Sequence, residues 1–361
     1  MIDKIWIQGF RNIADSLLSF DSKGTTLIYG ENNQGKTSVL EAIYVALTGK
    51  SPIEESIGRC VSFSKETFCI GMDVYIENKK ERIYVKVDKN GIYSAEKDQK
   101  KIGSTALKNK IWVIFFSSED CYLLKESPDF RRKELDWFCS QIFPEFKKLK
   151  SNFESTLKQR NAALKEENVS QEKVFFWNDL FILYSSQLVK LRQKGLEKIQ
   201  EQLTRIERDT FLDQKGLKLQ YLIHRKEEYV ENYSEYLKEK LIHGFLKESA
   251  AHYTLYGPNR DDFELYLEQK PFQRYYSRGI QKMVSLWLKW AQLHSIFKEK
   301  GRYPILLLDD VFSEMDKRTK KRALANMDEK TQVIYTTISK EDESLFSKVK
   351  LYGVQDGKYE S

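Results

Sequence analysis

The chain has 361 residues, of which 41% are apolar and 13% aromatic, and its 60 lysines and arginines exceed 53 acidic residues to give a net charge of +7. These values exclude a disordered chain and allow two or three compact units. The sequence has no long apolar run, no secretion signal and no C-x-x-C pair among its four cysteines, which argues against a membrane span, a zinc ribbon and a disulfide framework and favours a reducing cytoplasm.

Residues 1–50 predict a strand, a turn, a second strand, a glycine-rich loop and a helix. Residues 30–37 read G-x-x-x-x-G-K-T, the spacing of a phosphate-binding loop. Lys36 would reach the β- and γ-phosphates, and the Thr37 hydroxyl would hold Mg²⁺. The loop therefore predicts a nucleotide site built from Gly30, Glu31, Asn32, Asn33, Gln34, Gly35, Lys36, Thr37 and Ser38.

Alternating apolar residues continue the strand pattern after this helix. Residues 68–95 hold two alternating runs separated by a polar turn, which predicts an antiparallel hairpin. Residues 110–117 form another apolar run that predicts a buried strand.

The middle of the chain changes to a helical pattern. Leu196, Ile199, Leu203 and Ile206 recur at spacings of three and four among charged residues. Residues 216–223 alternate and predict a strand that interrupts the helices. The region is interpreted as a solvated arm, either a coiled-coil spacer or a short lobe that folds over a ligand.

The last third returns to alternating strands and helices. It predicts a helix at 280–299, the strand "YPILLLDD", a helix at 316–328 and the strand "TQVIYTT". The fold class is therefore α/β, an ABC-type P-loop ATPase head with an inserted, mostly helical arm. The predicted domains are residues 1–125 and 251–361 for the head and 126–250 for the arm.

Two carboxylates follow the apolar strand at 305–309. An acid at this position in a P-loop protein lies beside the phosphate loop and can hold Mg²⁺ through water, which is the role predicted for Asp309. Asp310 is the candidate that positions the attacking water. Taken alone, an acid after a strand also commonly caps a loop or the next helix.

Ser277 and Gly279 stand just before an amphipathic helix, about thirty residues ahead of the acidic strand. A helix start with a hydroxyl and bare backbone can bind a γ-phosphate. This layout is that of an ABC-type signature segment, in which the phosphate belongs to the other subunit. An ordinary helix cap is the alternative interpretation.

Taken together, the motifs resemble the RecF family, bacterial recombination-repair ATPases related to SMC heads. The matching segments are "GFRNIADSLLSF", "GENNQGKTSVLEAIYVALTGKS", "SSEDCYLLKESPDFRRKELD", "TLYGPNRDDFEL", "SRGIQKM" and "ILLLDDVFSEMD". This sequence departs from the usual family pattern at Ile280, Asn259 and Pro52-Ile53. The first departure bears on ATP-driven dimerisation.

The resemblance implies further roles. Arg11 and Asn12 would contact the nucleotide, and Ser277, Gly279 and Gln281 would cap ATP bound by a partner head. Residues 313–316 would form a dimer-interface loop, and Thr336 or Thr337 would sense the γ-phosphate. The implied cofactors are ATP and Mg²⁺, with Lys36, Asp309 and Asp310 as catalytic residues.

Residues 79–110 form a basic stripe in the sequence, because they include ten lysines and arginines but only four acidic residues. Lysines can neutralise DNA phosphates without reading sequence, although a solvated charged face is the alternative. The candidate DNA contacts are Lys79, Lys80, Lys97, Lys100, Lys101 and Lys108.

The sequence-based hypothesis is an ATP-switched DNA-binding clamp of recombinational repair and replication-fork maintenance. It would be a homodimer with ATP on duplex DNA, gapped DNA or a single-strand/duplex junction, with weak, DNA-stimulated ATPase activity. The resemblance implies RecO–RecR-type loader proteins as partners and no membrane association. A small-molecule kinase and a nuclease of the overcoming-lysogenisation-defect type are the catalytic alternatives. A purely structural coiled-coil protein would leave the phosphate loop unexplained.

Overall fold

The computed structural model describes residues 1–21, 24–77, 79–103, 111–118, 127–166, 169–209, 216–224, 227–301, 303–313, 315–325, 327–328 and 331–360. The chain forms two compact units, Met1–Cys121 with Gly301–Ser361 and Tyr122–Lys300. The first unit therefore contains both the amino-terminal and the carboxyl-terminal part of the chain. The second contains the predicted arm together with residues 251–300, which the sequence analysis assigns to the head; that functional division stays a prediction.

The elements follow one another along the chain as two runs of the first unit separated by the second unit. The first run holds β1 (Ile2–Gln8), β2 (Ser16–Ser19), β3 (Thr25–Tyr29), α1 (Lys36–Thr48), β4 (Thr67–Ile76), β5 (Lys79–Asp88), β6 (Tyr93–Lys97), β7 (Lys100–Ile102) and β8 (Val113–Ser117). The second unit holds α2 (Pro128–Ile142), α3 (Phe146–Leu164), α4 (Gln171–Phe176), α5 (Asn178–Asp209), β9 (Leu217–Ile223), β10 (Glu227–Glu228), α6 (Tyr233–Ala251), β11 (Asp262–Leu267), β12 (Lys270–Pro271), α7 (Phe272–Tyr275) and α8 (Arg278–Lys300). The chain then returns to the first unit with β13 (Ile305–Asp309), α9 (Lys317–Leu324), β14 (Val333–Thr337), β15 (Val349–Gln355) and β16 (Lys358–Glu360).

A largely parallel sheet brings remote segments of the first unit to one edge. Its order across the described strands is β16-β15-β3-β14-β13-β8, and only the β15–β16 pair among these is antiparallel. The register sets Asp309 beside Thr336, and Thr336 beside Ile28. Because the carboxyl ends of parallel strands meet at one edge, the loop after β3 lies next to the acidic end of β13.

The helix after the glycine-rich loop is the centre of the core. α1 is apolar around most of its circumference, which is typical of a fully buried helix. Its apolar side chains form one cluster with the inward faces of the parallel sheet and of the antiparallel sheet β2-β1-β4-β5-β6-β7. The buried side chains of α1 in this cluster are Val39, Leu40, Ala42, Ile43, Val45, Ala46 and Leu47.

The predicted hairpin is confirmed as β4 and β5, which pair antiparallel along their whole length. Along β5, Ile83, Val85 and Val87 are buried while the residues between them are exposed. β6 and β7 were not predicted, because these short strands are polar and contain Lys and Glu, which are depleted in strands.

The second unit is a compact lobe built around its longest helix. α5 spans 32 residues, and Leu196, Ile199, Leu203 and Ile206 are all buried. α5 packs against α3, α6 and α8, and the predicted strand at 216–223 is confirmed as β9. The short-lobe interpretation therefore fits this unit better than a two-helix spacer.

A buried arginine ties three segments of this lobe together. Arg160 donates hydrogen bonds to Asn178 Oδ1 at 2.9 Å, Thr254 Oγ1 at 2.8 Å and Glu248 Oε2 at 2.6 Å. The side chains of Arg160 and Glu248 are both fully buried. The other oxygen of Glu248 accepts the Leu255 N–H at 2.8 Å, so both carboxylate oxygens of this buried ion pair have hydrogen-bond partners.

Among the helices that the structure describes, none is long and apolar enough to cross a membrane.

Candidate nucleotide-binding site

The glycine-rich loop wraps around the lysine that follows it. Lys36 Nζ donates to the carbonyl oxygens of Gly30 and Glu31, each at 2.7 Å. Its side chain is largely buried, and this desolvation lowers the lysine pKa, while the nearby Asp310 and Asp309 oppose the shift. The loop is thus closed around a cation at the amino terminus of α1, an arrangement that attracts phosphate.

Two positions in this loop require glycine. Gly35, which precedes α1, has φ 103°, a conformation that residues with a Cβ rarely adopt. A Cβ on Gly30 would lie 2.6 Å from the Val354 carbonyl oxygen. These two requirements account for the glycines of the motif.

The last two strands of the chain support the loop from behind. Tyr359 donates from its hydroxyl to the Gly35 carbonyl at 2.9 Å. Gln34 accepts the Asp356 N–H on its side chain at 2.5 Å and the Gly357 N–H on its carbonyl at 3.2 Å. The loop conformation therefore depends on residues more than 300 positions away in the sequence.

The predicted metal ligands lie against each other. The Thr37 hydroxyl is 2.9 Å from both carboxylate oxygens of Asp309. The Thr336 hydroxyl donates to Asp309 Oδ1 at 2.6 Å. A hydroxyl beside a carboxylate is an all-oxygen donor set of the kind that Mg²⁺ prefers, so these residues fit the predicted ion.

Asp310 and Thr336 differ in their access to the site. Asp310 has φ 48°, and its N–H donates to the Thr336 carbonyl at 3.1 Å. Its side chain faces the cleft described below, whereas Thr336 is fully buried and reaches the site through its bond to Asp309. Thr337 is also buried and bonds to Asp342 at 2.8 Å. The sensor role for either threonine stays a prediction.

Asn12 bonds to the phosphate loop, whereas Arg11 pairs with acids at positions 41 and 54. Arg11 forms an ion pair with the buried carboxylate of Glu41 and lies 3.2 Å from Glu54, and these acids raise its pKa. Asn12 donates to the Asn33 carbonyl at 2.9 Å and accepts the Ser38 hydroxyl at 3.0 Å. Sequence reasoning missed Glu41, although an acid on a buried helix face is a signal of a charged partner.

Residues of the phosphate loop, Arg11, Asn12, Asp309 and Asp310 line one cleft of about 890 Å³ in the first unit. This volume is within the range of small-molecule sites. Five lining residues were not predicted: Arg59, Val61, Ser62, Phe63 and Ser118. The first four lie in the short segment 59–63, which has no periodic pattern of apolar residues. The lining consists of Arg11, Asn12, Asn32, Asn33, Gly35, Lys36, Thr37, Ser38, Arg59, Val61, Ser62, Phe63, Ser118, Asp309 and Asp310.

The predicted signature segment lies in the second unit. Ser277 is exposed immediately before α8, and a Cβ on Gly279 would meet no atom within 4 Å. Gln281 is buried and donates to the Tyr276 carbonyl at 2.7 Å. Its side chain therefore shapes the start of the helix, while Ser277 and Gly279 face open space.

The predicted dimer-interface loop at 313–316 lies within the first unit, apart from residue 314, which is outside the described residues. Asp316 caps α9 by accepting the Thr319 N–H at 2.9 Å. Its role at an interface stays a prediction.

The candidate DNA-binding lysines differ in how strongly they are paired. Lys80 lies 2.7 Å from Asp3 and 3.2 Å from Asp73, and Lys97 lies 2.6 Å from Glu81. Three more are exposed on the antiparallel sheet: Lys79, Lys100 and Lys101. Lys108 lies outside the residues that the structure describes. Lys80 and Lys97 would have to give up these ion pairs to bind an external phosphate, so Lys79, Lys100 and Lys101 are the better candidates.

Comparison with known proteins shows similarity along nearly the whole chain. The AAA domain model matches residues 4–345. The DNA replication and repair protein RecF of Halothermothrix orenii is 30% identical over 344 residues, covering 93% of this chain and 91% of that protein. RecF of Natranaerobius thermophilus is 30% identical over 357 residues, covering 94% and 92%.

Solved structures give the same assignment. A structure of the recombination mediator protein RecF-ATP in the RecFOR pathway is 29% identical, with a TM-score of 0.82 and coverage of 99% of this chain and 96% of that one. An SMC head bound to the C-winged helix domain of ScpA is 15% identical with a TM-score of 0.58, which shows a shared fold. The predicted ABC-type ATPase fold is confirmed, and the chain belongs to the RecF family of DNA replication and repair proteins.

Proposed function

We propose that this chain is an ATP-dependent DNA-binding clamp of recombinational repair and replication-fork maintenance. ATP binding joins two heads on duplex or gapped DNA and helps to load a recombinase, and slow hydrolysis resets the complex. The single observation that carries the proposal is the cleft in which Lys36, Thr37 and Asp309 converge. Family membership favours this function over the kinase and nuclease alternatives.

The residues of the cleft divide the work of binding and hydrolysis. Loop N–H groups and Lys36 would bind the phosphates, and Thr37 and Asp309 would hold Mg²⁺, which when bound would supply positive charge to the phosphoryl oxygens. Thr336 fixes the Asp309 carboxylate, and Asp310 orients the attacking water. Aspartate reaches less far than glutamate, so we infer slow turnover.

The partner head completes the site in this proposal. Ser277 and Gly279 would bind the γ-phosphate held by the other protomer through the exposed amino terminus of α8. RecO–RecR-type loader proteins are the proposed partners and the cytoplasm the proposed setting. The partners follow from a relative whose name places it in the RecFOR pathway, and the cytoplasm follows from the cysteine pattern of the sequence.

Sedimentation with ATP and Mg²⁺, with and without duplex DNA, tests the proposed switch. We expect the wild type to form a dimer, and Lys36→Met to remain a monomer because the phosphates lose their buried cation. Lys89→Met is the matched control, since Lys89 pairs with Glu66 on the surface of the same unit. Ser277→Arg should bind ATP as a monomer. Unchanged mass of the wild type on adding ATP would refute the clamp.

Reversal of the exposed lysine pair tests the DNA surface. We expect Lys100→Glu with Lys101→Glu to weaken duplex binding at least tenfold at low salt and to reduce the salt slope by about 2, because two phosphate contacts are lost. Filter binding across a salt series measures both effects. The matched control is Lys147→Glu with Lys148→Glu, two consecutive exposed lysines of the second unit. Equal losses in both double variants would remove the stripe from the proposed interface.

A further inference from the structure

The lining of the nucleotide cleft contains two kinds of chemistry. Lys36, Thr37 and Asp309 supply charged and hydroxyl groups. Residues 59–63 add a guanidinium, an apolar side chain, a hydroxyl and an aromatic ring to the same lining. A lining that combines charged groups with an aromatic ring suits a ligand with a charged tail and a flat apolar head.

Phe63 is the aromatic residue of this segment, and it is fully exposed to solvent. A single exposed apolar residue is ordinary on a protein surface. Phe63 differs in that it lines the same cleft as the phosphate loop. Its ring is therefore available to a ligand whose phosphates lie on Lys36.

The backbone that carries Phe63 is fixed on the segment that carries Arg11. Cys60 accepts the Arg11 N–H at 2.8 Å, and Ser62 donates its N–H to the Gly9 carbonyl at 2.9 Å. Lys65 then donates to the Ser62 carbonyl at 3.0 Å and closes a turn around the aromatic residue. Because Asn12 on the same segment bonds to the phosphate loop, the backbone that carries Phe63 is linked to that loop through residues 9–12.

We propose that Phe63, which lines this cleft together with Arg59, is the stacking platform for the nucleobase. The inference rests on the proposed ATP function and adds the residue that holds the base. Stacking uses the π-face that every base has. Phe63 therefore contributes affinity for nucleoside triphosphates over bare polyphosphate, without strong discrimination among bases.

Titration of wild type, Phe63→Ala and Phe63→Trp with Mg–ATP and with Mg–tripolyphosphate tests the proposal. We expect Phe63→Ala to lose about tenfold to one-hundredfold in ATP affinity while its tripolyphosphate affinity is unchanged. Phe63→Trp should retain ATP affinity, and its added indole fluorescence should be quenched by ATP but not by tripolyphosphate. Ile92→Ala is the matched control, because Ile92 is a largely exposed apolar residue of the same unit outside the cleft lining.

The outcomes separate this inference from the function on which it rests. Unchanged ATP affinity in Phe63→Ala overturns the stacking role, and so does a parallel loss for tripolyphosphate, which would assign Phe63 to loop support. Weaker dimerisation with unchanged ATP affinity of the monomer also overturns it and places Phe63 at a protein contact. If the wild type binds neither ligand, the proposed ATP function itself is wrong.

Discussion

Asp309→Asn is expected to reduce ATP hydrolysis at least a hundredfold while ATP binding changes less than tenfold. The substitution removes one negative charge and one of two oxygens from the place where Mg²⁺ would be held. The amide is nearly the same size as the carboxylate, so contacts with the hydroxyls of Thr37 and Thr336, now 2.9 Å and 2.6 Å from Asp309, can be retained. The loss therefore acts on charge stabilisation in the transition state rather than on the fold.

Single-turnover hydrolysis over a range of Mg²⁺ concentrations provides the measurement. We expect the variant to require more Mg²⁺ for its residual rate, because its metal ligand is weaker. Asp328→Asn is the matched control: this acid accepts the Tyr303 hydroxyl at 2.6 Å in the same unit and does not line the cleft. A normal rate in Asp309→Asn would leave the metal role without support.

Arg160→Met is expected to lower the free energy of unfolding of the second unit by about 3–5 kcal/mol, because it strands the buried carboxylate of Glu248. The variant also leaves Asn178 and Thr254 without their hydrogen bonds to the guanidinium. Hydrogen exchange of peptides from α3 and α6 measures this loss separately from the first unit.

A double variant separates charge from packing. Adding Glu248→Gln to Arg160→Met removes the unpaired charge and keeps an oxygen for the Leu255 N–H. We expect it to recover a substantial part of the lost stability, since a neutral amide costs less to bury than a carboxylate. If the double variant is less stable than Arg160→Met alone, the unpaired charge is not the cause.

Local chemistry made part of the site predictable. The phosphate loop follows from glycines at fixed spacing, and Asp309 follows from an acid at the end of an apolar strand, so the parallel sheet brings two recognisable signals together. Phe63 had no such signal, because a lone aromatic residue in a turn is not distinguished by periodicity. The ion pairs of Lys80 and Lys97 depend on strand register, which a count of positive charges does not contain.

The same limit applied to the fold. Long apolar runs predicted β13 and β14, and alternation predicted β4, β5 and β9. The helix predicted at 280–299 is confirmed as α8, whereas the helix predicted at 316–328 ends earlier, at Leu324. The terminal pair β15 and β16 was missed because its contribution depends on distant partners, such as the Tyr359 hydroxyl on Gly35. The burial of α5 likewise came from packing within a lobe, which a helical repeat alone cannot distinguish from a free coiled coil.

The bonds from Gln34 and Gly35 to the final hairpin make the two ends of the chain thermodynamically linked. If a bound triphosphate restricts the motion of the phosphate loop, it also restricts Asp356 and Tyr359, because both residues are hydrogen-bonded to that loop. Because such coupling is reciprocal, a change that orders the β15–β16 hairpin would raise the affinity for phosphate, and a change that disorders the hairpin would lower it. The last two strands of the chain can therefore modulate nucleotide binding at the phosphate loop.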